Sequence, residues 1–143
     1  MNNYFLVKIK YEKTGEEGKN KVVSEQYLVD AITFTESEER IIKEMTPFIS
    51  GEFIVVSITR YKVNEIFSRF PGDTFFKVKV NFISLDEDKG VEKKTTSFML
   101  VVANDIKEAE KNFTESMKSS MADYSVEKIE ETKILEIFKF ETK

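Results

Sequence analysis

The chain has 143 residues, 26 acidic against 22 basic side chains, and a formal net charge of -4. It contains no cysteine and no histidine, which excludes disulfides, thiolate nucleophiles, Cys/His zinc sites and imidazole general bases. With 13 Phe and 5 Tyr it is too rich in bulky groups for a disordered chain, and its negative balance argues against strong, indiscriminate nucleic-acid binding.

The N-terminus, Met1-Asn2-Asn3-Tyr4, lacks a basic region followed by a long apolar run. Apolar runs stay short, as in Phe98-Met99-Leu100-Val101-Val102-Ala103, far from the roughly 20 residues of a bilayer span. The expectation is a soluble, cytoplasmic protein with no membrane partner.

The first predicted element is a strand from Tyr4 to Glu12. Phe5, Val7, Ile9 and Tyr11 fall on one face, and Leu6, Lys8, Lys10 and Glu12 on the other; this period of two marks a half-buried strand. A polar loop over residues 13–20 leads to a second apolar run, Val22 to Ala31, so the pair reads as a β-hairpin. Thr33 with Glu36, and Thr35 with Glu38, offer two overlapping capping boxes for a helix. Phe34, Ile41, Ile42 and Met45 form its apolar stripe, and Pro47 ends it by displacing the preceding residue from the α region. Glu52 to Phe67 is rich in Ile, Val, Phe, Tyr and Thr and reads as a long strand, split near Tyr61-Lys62.

After Ser68-Arg69-Phe70-Pro71-Gly72-Asp73 the pattern returns, offset by about 71 residues and slipping to about 72 through the helix. Matched pairs include Val7/Val78, Lys8/Lys79, Tyr11/Phe82, Tyr27/Phe98, Ala31/Ala103, Met45/Met117 and Phe53/Tyr124. Phe76, Val78, Val80 and Phe82 repeat the buried strand face. Asp105 with Glu108 repeats the cap, and Ile106, Ala109, Phe113 and Met117 the stripe. A last strand runs from Tyr124 to Phe140, split near Thr132-Lys133. The predicted fold is α+β: a tandem β-β-α-β repeat with pseudo-twofold symmetry, antiparallel sheet packed against two helices. One domain is expected, with a first repeat at 4–67, a linker at 68–74, a second repeat at 75–138, and one core shared by both copies.

No catalytic residue emerges. Acid/base chemistry without His falls to Asp, Glu, Lys or Tyr, and the acids sit mostly in caps, turns and charged faces. The sequence has neither a phosphate-cradling glycine motif nor a nucleophile elbow. Asp86-Glu87-Asp88-Lys89-Gly90 departs from the EF-hand pattern and reads as a hairpin turn. No metal and no cofactor are expected.

The informative polar feature is on the first strands. Lys8, Lys10, Lys77 and Lys79 lie opposite the apolar face, with Tyr4 and Phe75 beside them. Cations next to aromatics on an open sheet can hold a single-stranded nucleic acid by its backbone and stack its bases. The plainer reading is a solvated face whose lysines discourage edge pairing. An alternative function is protein interaction or counter-defence through Phe67, Phe70, Phe138 and Phe140, with a protein partner or a second copy of the chain. A small carboxylate-dependent enzyme is the third reading.

The run Tyr27-Leu28-Val29-Asp30-Ala31-Ile32-Thr33-Phe34-Thr35-Glu36-Ser37-Glu38, with Pro47-Phe48-Ile49-Ser50-Gly51-Glu52-Phe53 and Met121-Ala122-Asp123-Tyr124, resembles the DUF4494 domain family over nearly the whole chain. The resemblance implies a cytoplasmic protein of Bacteroides-type bacteria or their phages and mobile elements. It implies no activity and no catalytic residue.

Overall fold

The structure, a computed structural model, describes residues 3–15 and 18–139. It is α+β, with eight strands and two α-helices among the described residues. The strands are β1 (Tyr4–Thr14), β2 (Asn20–Asp30), β3 (Phe53–Tyr61), β4 (Glu65–Phe67), β5 (Thr74–Asp86), β6 (Val91–Ala103), β7 (Asp123–Glu131) and β8 (Ile134–Phe138). The helices are α1 (Phe34–Met45) and α2 (Ile106–Ser116), the latter followed by a 3-10 turn at Met117–Ser119.

The chain divides into two compact units, residues 1–62 with 134–143, and residues 63–133. Unit 1 holds a sheet of order β3-β1-β2-β8, and unit 2 a sheet of order β4-β6-β5-β7. In both, a long hairpin forms the centre and one edge pair is antiparallel, while the other edge is parallel.

The alternation of β1 translates directly into packing. Phe5, Val7 and Ile9 are fully buried, in a cluster with Tyr27, Val29, Ala31, Ile41, Met45 and Ile49. In unit 2, Phe76, Val78 and Val80 pack with Met99, Val101, Ala103, Ala109, Phe113 and Met117. Each large apolar side chain so buried contributes roughly 1.5–3 kcal/mol. The single shared core expected from the sequence is replaced by these two clusters. The reason is that each helix lays its own stripe on its own hairpin: α1 buries Ser37, Ile41 and Met45, and α2 buries Ala109, Asn112 and Phe113.

Two details of the helices differ from expectation. Thr33 alone caps α1, its Oγ1 accepting from the Glu36 N–H at 3.1 Å, because Thr35 already lies inside the helix. Thr46 keeps αR backbone angles although it precedes Pro47; the helix stops because proline brings no N–H to continue the ladder. The expected Asp105 cap of α2 is present, its Oδ1 accepting from Glu108 N–H at 2.8 Å.

The long last elements break near where the sequence places a split, between Tyr61 and Glu65 and between Glu131 and Ile134. After the break each strand joins a sheet in parallel: β4 pairs with β6 in unit 2, and β8 with β2 in unit 1. Asn64 fixes the first of these placements. Its N–H donates to the Phe98 carbonyl at 2.7 Å, and its Oδ1 accepts from the Phe98 N–H at 2.9 Å. Thr132 donates through its N–H and its Oγ1 to the carbonyl of Phe75, at 3.0 and 2.7 Å.

The acidic run at Asp86 is a hairpin turn. Asp86 Oδ1 accepts from the N–H groups of Asp88 and Lys89, and Gly90 closes the turn with φ of 65°, a value glycine adopts without steric penalty. Among the described residues no helix is long and apolar enough to cross a membrane.

Candidate functional site

The strand lysines lie two in each unit. In unit 1, Lys8 is half-buried and Lys10 exposed, with Tyr4 half-buried at the start of the same strand. Lys8 lies opposite Gln26 and Ser57, and Lys10 opposite Ser24 and Ile54. In unit 2, the Lys77 ammonium sits 4.7 Å from the centre of the Phe98 ring, and Lys79 bonds Glu127 at 2.9 Å. A β-bulge in β7, at the Lys79/Val80 step of its pairing with β5, leaves Glu127 without a cross-strand partner, so its carboxylate is free to reach the lysine. The Lys79 hydrogen bond, and then its charge, hold the Glu127 carboxyl below its ordinary range.

The lysine-bearing faces are not open throughout. On the same faces the neighbouring strands β2 and β6 carry Leu28 and Leu100, each fully buried and in register with Leu6 and Lys77 respectively. Phe75 is half-buried. Around Lys77, Lys79 and Phe98 there remains a hollow of about 200 Å³, which Lys128 and Glu130 complete. Cations and acids therefore interleave on this surface, which lowers the counterion release available to bound phosphates.

The phenylalanines proposed as a patch are placed in two units. Phe67 and Phe70 pack against the unit 2 core, Phe67 edge-on to Phe113 at 6.1 Å and Phe70 beneath the Arg69 guanidinium at 4.9 Å. Phe138 packs against the unit 1 core, stacked on Tyr27 at 5.6 Å. Phe140 lies outside the described residues.

A second arrangement, not singled out by sequence, is built in unit 1. Tyr27 and Glu25 share the inward face of β2, opposite Val7 and Ile9. Glu136 of β8 lies opposite Tyr27. Glu44 comes from the last turn of α1, and Phe48 and Ile49 from the turn that follows, where both N–H groups return to the Met45 carbonyl at 3.0 and 3.1 Å. Together with Tyr11 and Phe138 they enclose a cleft of about 470 Å³. Its residues supply three carboxylates and no cation. Tyr27 is 6% exposed and donates to Glu25 Oε1 at 2.9 Å. Burial, then the Glu25 hydrogen bond and charge, push the Tyr27 hydroxyl well above the ordinary tyrosine range, and the same causes raise Tyr11. Phe48, 79% exposed, stands at the mouth.

Register shows why unit 2 has no equivalent lining. Met99 lies opposite Val78 where Tyr27 lies opposite Val7, and Ser97 opposite Val80 where Glu25 lies opposite Ile9. The sequence pairing of Tyr27 with Phe98 is thereby corrected: Phe98 faces Lys79 on the other side of β6 and Met99 takes the register of Tyr27, because the two hairpins differ at their turns and an offset of 72 already holds all along β2 and β6. Phe67, Phe113, Tyr124 and Phe82 then run as a chain of ring contacts through unit 2. In unit 1 the corresponding buried helix residue is the smaller Ile41. The available sequence signals were the hydroxyl of Tyr11 against Phe82 and this Ile41/Phe113 difference.

A larger hollow of about 590 Å³ lies between the β1–β2 hairpin and the loop before β3, with Lys10, Glu12 and Glu52 on its walls. It mixes both signs of charge and selects neither.

Fold and cleft together define an α+β protein of two four-stranded units, one of which carries an acidic, aromatic-walled cleft. The chain belongs to the family described as Domain of unknown function (DUF4494), which it matches over residues 3–140. No curated protein and no solved structure matches it.

Proposed function

We propose that this is a non-catalytic binding protein that engages a partner through the cleft of unit 1. One observation carries the reading: the three carboxylates of Glu25, Glu44 and Glu136 share a cleft with exposed Phe48, whereas in unit 2 the register positions of Glu25 and Tyr27 hold Ser97 and Met99 and only Glu65 keeps an acid, in the register of Glu136. Concave apolar walls with a few convergent polar groups are the usual form of a binding site. The cleft residues supply carboxylates and tyrosine hydroxyls beside apolar walls, a lining suited to holding a partner. The test is retention of a partner by immobilised wild-type protein beside folded Phe48→Ala and Glu136→Lys variants. A partner held by the wild type and lost by both supports the reading; equal retention by all three overturns it.

We also read the two units as tandem copies that exchange their last strands. Supporting this, Arg40 of α1 donates to the Asp30 carbonyl at 3.3 Å, and Asn112 of α2 donates to the Val102 carbonyl at 2.9 Å. The two donors and the two acceptors are each spaced by the same offset, so one packing link recurs in different chemistry.

A second function, association with a single-stranded nucleic acid, has support from the Lys77 ammonium over Phe98 with Lys79 and Lys128 beside it. The acids Glu127 and Glu130 on the same surface weigh against it.

A further inference from the structure

We infer that the unit 1 cleft binds a protonated amine carried on an apolar stem. This rests on the reading of the cleft as the binding site and names its ligand class. The walls and the charge point the same way. Three carboxylates, Glu25, Glu44 and Glu136, line the cleft with no lysine or arginine among its lining residues. A negatively charged cleft with low-dielectric walls concentrates cations. The rings of Tyr11, Tyr27, Phe48 and Phe138 line the same space, and aromatic faces attract ammonium groups electrostatically while accepting their alkyl stems.

The tyrosine hydroxyl sharpens the assignment. Tyr27 spends its proton on Glu25, so this pair presents acceptors to a ligand rather than a donor, and an anionic or purely acceptor ligand finds no partner there. A volume of about 470 Å³ admits a chain of several carbons with a terminal ammonium, whereas one dehydrated metal ion would leave most of it empty. Among the described residues no group of three His, Cys, Asp or Glu is arranged to hold a metal ion, so these carboxylates surround a volume larger than an ion. Unit 2 provides an internal contrast, since it keeps Glu65 and Phe67 in the register of Glu136 and Phe138 but has Ser97 and Met99 in place of Glu25 and Tyr27.

The experiment is an NMR titration of the full chain with n-pentylammonium, with 1-pentanol as the uncharged isostere, and with an acetylated, amidated Gly-Lys-Gly peptide. The expected result is amide shifts at Glu25, Tyr27 and Glu136, with pentylammonium at least about tenfold tighter than pentanol. A Glu44→Gln/Glu136→Gln variant, which keeps the Tyr27–Glu25 bond, should lose that preference, and Phe48→Ala should weaken both ligands. Competition by the peptide assigns the amine to a protein side chain; binding of the free amine alone assigns it to a small molecule, and either supports the chemistry. Equal binding of alcohol and ammonium overturns the amine assignment while leaving an apolar binding cleft. No binding of either overturns the amine and counts against the cleft as the binding site.

Discussion

Tyr27 and Glu25, two residues apart on the inward face of β2, are joined by a hydrogen bond of 2.9 Å from the tyrosine hydroxyl to the carboxylate. A strand puts such residues side by side, so the pair needs no turn or loop to assemble it. The consequence is a carboxylate held at the edge of an otherwise apolar core, with the Tyr27 ring anchored beneath by stacking on Phe138. Unit 2 puts Ser97 and Met99 in the same register, which is why only unit 1 has an acidic wall there.

The pair has a signature at alkaline pH. Burial, and then the Glu25 bond and charge, raise Tyr27 above its ordinary value of 10.0. A group whose pKa is raised on folding contributes stability that is fully present below its unfolded value. That stability is lost as pH rises through the folded value. Stability should therefore be insensitive to this group below pH about 10 and fall above it. An ultraviolet tyrosinate titration should show Tyr27 and Tyr11 ionising above the ordinary tyrosine range. Tyr27→Phe should remove one of these late steps. Five tyrosines titrating together near pH 10 in folded protein would contradict the account.

The turn before β5 contains a close approach that only glycine allows. A Cβ on Gly72 would stand 2.8 Å from the Ala103 Cα. Backbone cannot rotate away as a side-chain tip can, so Gly72→Ala should cost about 1–3 kcal/mol in urea unfolding, the usual scale of overpacking. Gly90→Ala is the comparison: nothing lies within 4 Å, and only its φ of +65° is at stake, for about 1 kcal/mol. A smaller loss at Gly72 than at Gly90 would show that the approach relaxes freely.

Much of the architecture was legible because its causes are local. The period of two in Phe5-Val7-Ile9 and Phe76-Val78-Val80, the Thr33 and Asp105 caps and the Gly90 turn all follow from spacing and side-chain chemistry within a few residues. What escaped was non-local. The transfer of β4 to the sheet of unit 2 and of β8 to that of unit 1 depends on pairings between residues 34 or more apart, such as Asn64 with Phe98, and no pattern within a strand encodes its neighbour. The cleft escaped for the same reason. Glu25, Glu44 and Glu136 come from three elements, and each alone reads as an ordinary acid on a strand or helix. The strand lysines were correctly placed by period, but the bulge that leaves Glu127 free to meet Lys79 cannot be read from alternation.

Asn112 was also overlooked, because a polar residue beside an apolar stripe reads as solvent-facing. It is 8% exposed, and its amide donates to the Val102 carbonyl at 2.9 Å. Asn112→Ala removes the donor and leaves a buried acceptor, an imbalance worth about 1–3 kcal/mol. Thermal denaturation should show a lowered midpoint, while Lys111→Ala, on the exposed neighbour, should not shift it measurably. Equal midpoints for wild type and Asn112→Ala would mean that water replaces the amide.

The Lys79–Glu127 pair decides how much remains of a nucleic-acid role. Its side chains are 38% and 49% exposed, so it adds little to stability, and its main effect is to cancel a cation beside Lys77 and Phe98. Glu127→Gln should therefore leave folding unchanged and raise affinity for a labelled single-stranded oligonucleotide at low salt. Binding should weaken steeply as salt is added, since each neutralised phosphate contributes to the salt slope. A Lys77→Glu/Lys79→Glu variant should abolish it. The pH dependence has a fixed sign: with the Glu127 carboxyl held below its ordinary range, the pair persists at neutral pH and is lost only as pH falls through that lowered value. Fluorescence anisotropy over these variants is the check. If Glu127→Gln binds no more tightly than wild type, the lysines of unit 2 are a solvated face, and the cleft of unit 1 is left as the functional surface.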